Sequence, residues 1–414
     1  MESQPSDDRI FDAIVVGAGI IGCCTAYEIA KRGRSVLLVE RFDFLHHLGS
    51  SHGESRTIRS TYPEPYYLPL VLDSARLWAQ AHSDIGFSTL TKAHQLDLGP
   101  SNNKSLLSVI SNCESSSLPH RLLKPDELSK RFSGLFSIPD DWIGLVTELG
   151  GVIKPTKAQS MFLALSVKYG AVLKDHVKVS QIKRLGGILR VETDGGDYFL
   201  GKKCVVTVGA WTRELVKTVT GLGLPIQPIH TTICYWRIRE GFEGEFTAEA
   251  GFPTFASYGE PYIYGTPSLE FPGLIKVALH GGHACDPDRR AWTHDMETIK
   301  KAVGPWIEGR FGGRVESEEP VSAQACMYSM TPDGDYVIDF LGGGFGRDVV
   351  VGAGFSGHGF KMGPVVGRIL ADLALDGEAH GVDLEPFRLG RFEKNPLGNV
   401  KDFEEQVSLH DFKN

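Results

Sequence analysis

Three segments of the chain gather residues able to do chemistry on a bound ligand. Gly17-Ala18-Gly19-Ile20-Ile21-Gly22 spaces its glycines as a phosphate-cradling turn does. Gly49-Ser50-Ser51-His52-Gly53-Glu54-Ser55-Arg56-Thr57-Ile58-Arg59 packs two arginines and a histidine into a glycine-bounded loop. Such a loop is either a solvated basic turn or an electropositive wall beside a bound ring. Gly354-Phe355-Ser356-Gly357-His358-Gly359-Phe360-Lys361 carries three glycines in six positions. It is either an ordinary strand–helix turn or a place where backbone lies against a planar ligand. In the second case Lys361 opens a helix beside that ligand.

The surrounding elements must position these groups. Residues 10–16 read as a short buried strand, 23–31 as a helix stopped at Gly33, and 35–39 as a second apolar strand. Strand, turn, helix and strand in about 30 residues make the first unit of a doubly wound sheet. Gly17 permits the tight turn, Gly19 lets backbone approach a pyrophosphate, and Gly22 lets the helix pack on the strand. The helix N-terminus then offers free N–H groups and partial positive charge to phosphates. Glu40 ends the second strand, 18 residues beyond Gly22, where a carboxylate accepts hydrogen bonds from the adenosine ribose. This unit alone suits FAD or NAD. Residues 349–375 return to strand, glycine turn and helix, and a cofactor domain built from both ends of the chain favours FAD. Residues 66–81, 124–132, 155–169 and 296–311 read as helices, and 177–208, 229–239 and 275–280 as strands. The serine-rich stretch 98–117 reads as surface.

A length of 414 residues predicts two domains. The expected fold is α/β. A Rossmann-type doubly wound FAD-binding domain takes residues 1–90, 150–220 and 321–390. An inserted α+β substrate domain with a mixed or antiparallel sheet takes 91–149 and 221–320, and 391–414 form a tail. The net charge of −8, with no long basic run, excludes nucleic acid and anionic membranes as partners. No stretch approaches the roughly 20 apolar residues of a membrane span. Seven cysteines without a Cys-x-x-Cys pair indicate neither a zinc site nor a redox dithiol, so no metal is expected, and they fit a reducing compartment. Residues 1–9 are polar and acidic, unlike a signal peptide, so secretion is not expected.

The second and third segments resemble those of the monomeric sarcosine oxidase family of amine oxidases, which includes pipecolate and N-methyltryptophan oxidases. The resemblance runs over nearly the whole chain. Lys276-Val277-Ala278-Leu279-His280 resembles the strand bearing the family's oxygen-activating lysine. Cys326-Met327-Tyr328, followed by Thr331-Pro332-Asp333, resembles its flavin-linking segment, and Tyr262-Ile263-Tyr264-Gly265 its aromatic pocket wall. The resemblance implies FAD bound covalently at its 8α carbon through Cys326, a residue that by itself reads as an ordinary buried cysteine. It implies His52 and Arg56 as positive charges over the flavin face opposite the substrate. The cofactor-binding set then comprises Gly17, Ala18, Gly19, Ile20, Ile21, Gly22, Glu40, Arg41, Ser51, His52 and Arg56, with Cys326, Gly354, Gly357, Gly359 and Lys361. Arg59 and Lys361 are implied to clamp a substrate carboxylate. Tyr264, His280 and Tyr328 are implied to line the cavity, although His280 reads equally well as a satisfied strand histidine. Lys276, by itself a snorkelling strand lysine, is implied to hold a water near flavin N5 and to favour developing superoxide.

The implied reaction is oxidation of a secondary amino acid such as sarcosine or L-pipecolate by O2. Hydride leaves the carbon beside a neutral amine, the imine hydrolyses, and hydrogen peroxide forms; sarcosine yields glycine and formaldehyde. Alternatives are an oxidase of another N-alkyl amino acid, of N-methyltryptophan or fructosyl amino acid type, and an NAD-dependent dehydrogenase. Thr266 stands where bacterial members carry a phenylalanine, and a smaller residue there leaves room for a ring. The resemblance implies a monomer. Relatives in peroxisomes favour that organelle over the cytoplasm, although Phe412-Lys413-Asn414 does not match the Ser-Lys-Leu signal.

Overall fold

The structure, a computed structural model, describes residues 9–401. The readings of the acidic N-terminal segment and of the C-terminal tripeptide lie outside the described residues.

Short β-branched runs without alternation form strands buried on both faces, as parallel sheets require. Val36–Val39 is buried at every position, and so is Val349–Ala353. The first sheet runs Val337–Phe340, Val349–Ala353, Tyr198–Val206, Ile10–Val16, Val36–Val39, Val172–Lys174. All neighbours are parallel except the first pair. A hairpin, Val179–Leu185 with Ile188–Thr193, joins the start of Tyr198–Val206. On one face the helix Ile20–Lys31 packs against Pro155–Lys168 and Gly363–Leu375. The first of these helices is buried all round, from Ile20 to Ala30, so it behaves as a core element. Its close crossing with Gly363–Leu375 depends on Gly367, where a Cβ would stand 2.6 Å from Cys24 Cβ.

The second sheet is mixed and mostly antiparallel. Its order is His283–Ala284, Gln227–Arg237, Leu274–Leu279, Ile263–Thr266, Thr254–Ser257, Leu90–Pro100, Trp142–Ile153, Arg56–Arg59. Ser322–Met330 pairs along Gln227–Arg237, and His120–Leu123 along Trp142–Ile153. A core of Phe136, Phe252, Phe255, Trp306 and Phe311 packs behind it.

Sheet membership cuts the chain at other points than the expected segments. Arg56–Arg59, Trp142–Ile153 and Ser322–Met330 all run into or through stretches expected in the cofactor domain, yet they belong to the second sheet. A short strand's local pattern fits either sheet, and only long-range pairing decides. Residues 98–117 also differ from the expected surface stretch. Leu90–Pro100 is an interior strand, and Lys104–Ser115 is a helix burying Ser105, Leu106, Val109, Ile110 and Cys113.

Gly367→Val should force those two helices apart and cost about 1–3 kcal/mol. Thermal unfolding would show it as a lower midpoint, and an unchanged midpoint would mean the crossing is not close.

Candidate active site

The dinucleotide end is built by sterics. Gly17 has φ +97°, and a Cβ on it would stand 2.7 Å from Thr207 O. A Cβ on Gly22 would stand 1.8 Å from Gly17 O. The Ile20 N–H donates to Ser51 Oγ at 2.9 Å, which ties the basic loop to the head of the helix. Glu40 accepts from the N–H of Ala18 at 2.7 Å and of Phe42 at 3.0 Å. Burial acts to raise its pKa, but hydrogen bonds from His46, Ala18 and Phe42 together hold it below the ordinary value. It is therefore a carboxylate, ready to accept from hydroxyls.

A single cavity of about 430 Å³ starts here, bordered by Gly17, Gly19, Ile20, Ile21, Glu40 and Arg41. It continues past Ser51, Arg56 and Cys326 to Arg59, Tyr264, Lys276, His280, Tyr328, Gly357, Gly359 and Lys361. Four expected residues stand behind its wall. Ala18 supplies its N–H to Glu40. Gly22 serves the packing of the turn. Gly354 has φ +63°, with Thr331 Cγ2 only 2.5 Å from where a Cβ would be. His52 is 4% exposed, and neither ring nitrogen meets a partner among the described residues. The cavity fits FAD: the glycine cradle and Glu40 suit the adenosine diphosphate, and the far end is aromatic and basic.

The basic loop is no solvated turn, because it wraps around its own arginine. Arg56 Nη2 donates to His52 O at 2.6 Å and to Ser50 O at 3.1 Å, and Nη1 to Ser55 O at 2.8 Å. Nη2 also lies 3.4 Å from Cys326 Sγ. Burial, then Arg56 and His47, pushes His52 down to about 3, so it is neutral near pH 7. The positive charge expected of both residues is Arg56's alone.

Arg59 is 7% exposed, Lys361 6% and Lys276 2%, too dry for surface cations. Arg59 Nη1 donates to Thr61 O and, at 3.2 Å, to Tyr258 Oη, with Asp97 Oδ1 at 3.8 Å. Lys361 Nζ lies 3.3 Å from His358 O. Burial and then Arg59 hold its pKa well below the ordinary lysine value. Lys276 Nζ donates to Ser55 O and Oγ at 3.3 and 3.2 Å. Burial, then Arg56, pushes its pKa below the ordinary lysine value, while the Glu270 carboxylate acts to raise it.

His280 belongs to the cavity wall rather than to a satisfied strand. Tyr328 Oη lies 3.4 Å from its Nδ1, and Tyr264 Oη lies 3.4 Å from Tyr328 Oη. Burial, then Arg59 and Lys361, pushes His280 down to about 3. Thr266 pairs with Lys276 across the strands, is fully buried and does not border the cavity. Sequence reasoning missed Tyr62, Asp97, Tyr258 and His358. Only His358 carried a signal, its place among the three glycines.

The family model described as "FAD dependent oxidoreductase" matches residues 12–373. The chain is 59% identical over 412 residues to a protein named probable sarcosine oxidase from Arabidopsis thaliana, with 98% of each covered. It is 35% identical to the peroxisomal sarcosine oxidase of Homo sapiens, covering 92% of this chain and 96% of that one. Among solved structures, L-proline dehydrogenase from P. horikoshii shares the fold with a TM-score of 0.79 at 23% identity, covering 93% of this chain and 98% of that one.

The buried histidines set a pH dependence. His52 and His280 fall from 6.5 in an exposed setting to about 3 here. Between those values the unfolded chain binds protons that the folded one does not, so stability falls as pH drops through the window. The cofactor-free protein should unfold at lower temperature as pH goes from about 6.5 toward 4. The fall should be shallower in His280→Gln, and equal slopes would mean His280 is not buried neutral.

Proposed function

The chain belongs to the FAD dependent oxidoreductases and, within them, to the sarcosine oxidase family, and from that premise we propose that it oxidises sarcosine and L-pipecolate with O2. The chain is an FAD-dependent amine oxidase, which sets aside an NAD-dependent dehydrogenase. The products are an imine and hydrogen peroxide, and sarcosine's imine hydrolyses to glycine and formaldehyde. One observation carries the reading: a single cavity joins the dinucleotide turn to two buried cations, Arg59 and Lys361, beneath an aromatic wall.

When bound, FAD supplies the electron sink for hydride. Everything else is supplied by side chains. Arg59 offers a planar fork and Lys361 a point charge, and together they hold one carboxylate and fix the substrate's orientation. The same two cations disfavour an ammonium beside them, so the bound amine loses its proton and regains the lone pair that expels hydride. Neutral His280, with Tyr264 and Tyr328, walls the amine end without adding charge. Lys276, dry and held on Ser55, sets a cation where charge develops on reduced oxygen. Cys326 is the attachment point, with the Arg56 guanidinium beside its sulfur. The cavity is complete within one chain, which supports action as a monomer. The human relative's name supports a peroxisomal location. Among the described residues no helix is long and apolar enough to cross a membrane.

Anaerobic addition of sarcosine or L-pipecolate should bleach the yellow holoenzyme. An enzyme that stays yellow with both would refute the substrate class. Lys276→Met should slow reoxidation of the bleached enzyme by O2 by about 100-fold or more, with anaerobic reduction much less affected. If reduction fell equally, Lys276 would not be the oxygen site.

A further inference from the structure

We propose that His358 is a positioning residue that sets the carboxylate clamp through Tyr62, an inference that rests on reading Arg59 and Lys361 as that clamp. Neither His358 Nδ1 nor the Tyr62 hydroxyl touches the substrate in this account. They act through the two cations.

The geometry fixes the tautomer. His358 Nε2 lies 3.0 Å from the carbonyl oxygen of Gly334. A carbonyl only accepts, so Nε2 carries the hydrogen and Nδ1 presents its lone pair. Tyr62 Oη lies 3.1 Å from Nδ1, while Tyr336 Oη, 2.8 Å from the same nitrogen, is also 3.1 Å from the His358 carbonyl oxygen, which can take its hydrogen. Burial, and then Lys361, keeps the ring neutral, which preserves the acceptor.

The Tyr62 ring is the platform on which both cations rest. Arg59 Cζ lies 5.0 Å from its centroid and Lys361 Nζ 5.2 Å, within cation–π range. His358 contributes a second time through its own backbone, since its carbonyl accepts from Lys361 Nζ at 3.3 Å. One residue thus anchors the platform and aims the lysine. The backbone beside that platform is held from the opposite side. Asn112 Nδ2 donates to Tyr62 O at 3.0 Å and Pro63 O at 2.7 Å, and Ser108 Oγ to Pro63 O at 2.8 Å. Both donors come from the serine-rich helix Lys104–Ser115, which so acquires a purpose. Two like charges in a dry site repel, and a flexible lysine stem has many rotamers. An anchored ring beside both limits how far each can stray.

The test uses FAD-loaded His358→Gln and Tyr62→Phe. The second variant deletes one oxygen, keeps the ring, and stands alone if the first does not fold. The readouts are KM for sarcosine, kcat at saturation, and the Kd of acetate followed through the flavin absorbance. Losing a buried hydrogen bond that orients the clamp should raise KM and acetate Kd about 10-fold, with kcat changed much less. The double variant should be no worse than the poorer single one, because both break one link. A merely structural role would lower the unfolding temperature and leave KM and acetate Kd unchanged, and that result would overturn the proposal. Arg59→Lys and Lys361→Met separate the two layers. If they leave acetate binding unchanged, the clamp reading itself fails. If they weaken it while the His358 and Tyr62 variants do not, only the positioning role fails.

Discussion

Like charges confined in a dry space repel, and this chain gathers four cations around one cavity: Arg59, Lys276 and Lys361 are buried and Arg56 is half-buried. Burial in low dielectric multiplies the repulsion several-fold over water. The surroundings soften it with dipoles and π faces more than with counter-charges. Carbonyls of Ser50, His52, Ser55, Thr61 and His358 accept from these side chains. The rings of Tyr62 and Tyr264 lie beneath them. Asp97 Oδ1 lies 3.8 Å from Arg59 Nη1, and the Glu270 carboxylate acts to raise the pKa of Lys276. Both lysines respond by titrating lower than usual. A surplus of this kind suits an anionic ligand, and the proposed carboxylate clamp rests on it.

Two sheets are needed to build such a site. The parallel sheet presents the glycine turn and Glu40 at the ends of Ile10–Val16 and Val36–Val39. The mixed sheet supplies Arg56 and Arg59, Lys276 and Cys326 from three strands far apart in sequence. Lys361 arrives on the return crossing, at the short turn Phe360–Met362 that leads into Gly363–Leu375. The cavity therefore spans both sheets, and neither sheet alone carries both the phosphate cradle and the cations.

What could be read beforehand follows how local each signal is. The Gly17, Gly19, Gly22 and Glu40 pattern was legible because glycine sterics act within one turn and one strand. That Lys276, Cys326 and Lys361 border one cavity was legible only through family resemblance, since each has an ordinary structural reading. Asp97, Tyr258 and Tyr62 were not legible, because strand pairing and loop packing bring them to Arg59 across the chain. The helix Lys104–Ser115 was misread for a different reason. Leu106, Val109, Ile110 and Cys113 do repeat at helical spacing, but the serines between them dominated the composition. His52 lies behind the cavity wall rather than on it, and its burial keeps neutral a ring from which a positive charge was expected.

One FAD along this cavity, with its adenosine end at Gly17 and Glu40 and its ring end at Cys326, is the reading proposed for the site. Acid denaturation of the holoenzyme, followed by proteolysis and mapping of the flavin fluorescence, tests this most directly. The yellow colour should stay with the precipitate and map to the peptide bearing Cys326. Colour released to the supernatant, or carried by a peptide bearing Cys23, Cys24, Cys113, Cys204, Cys234 or Cys285, would contradict it.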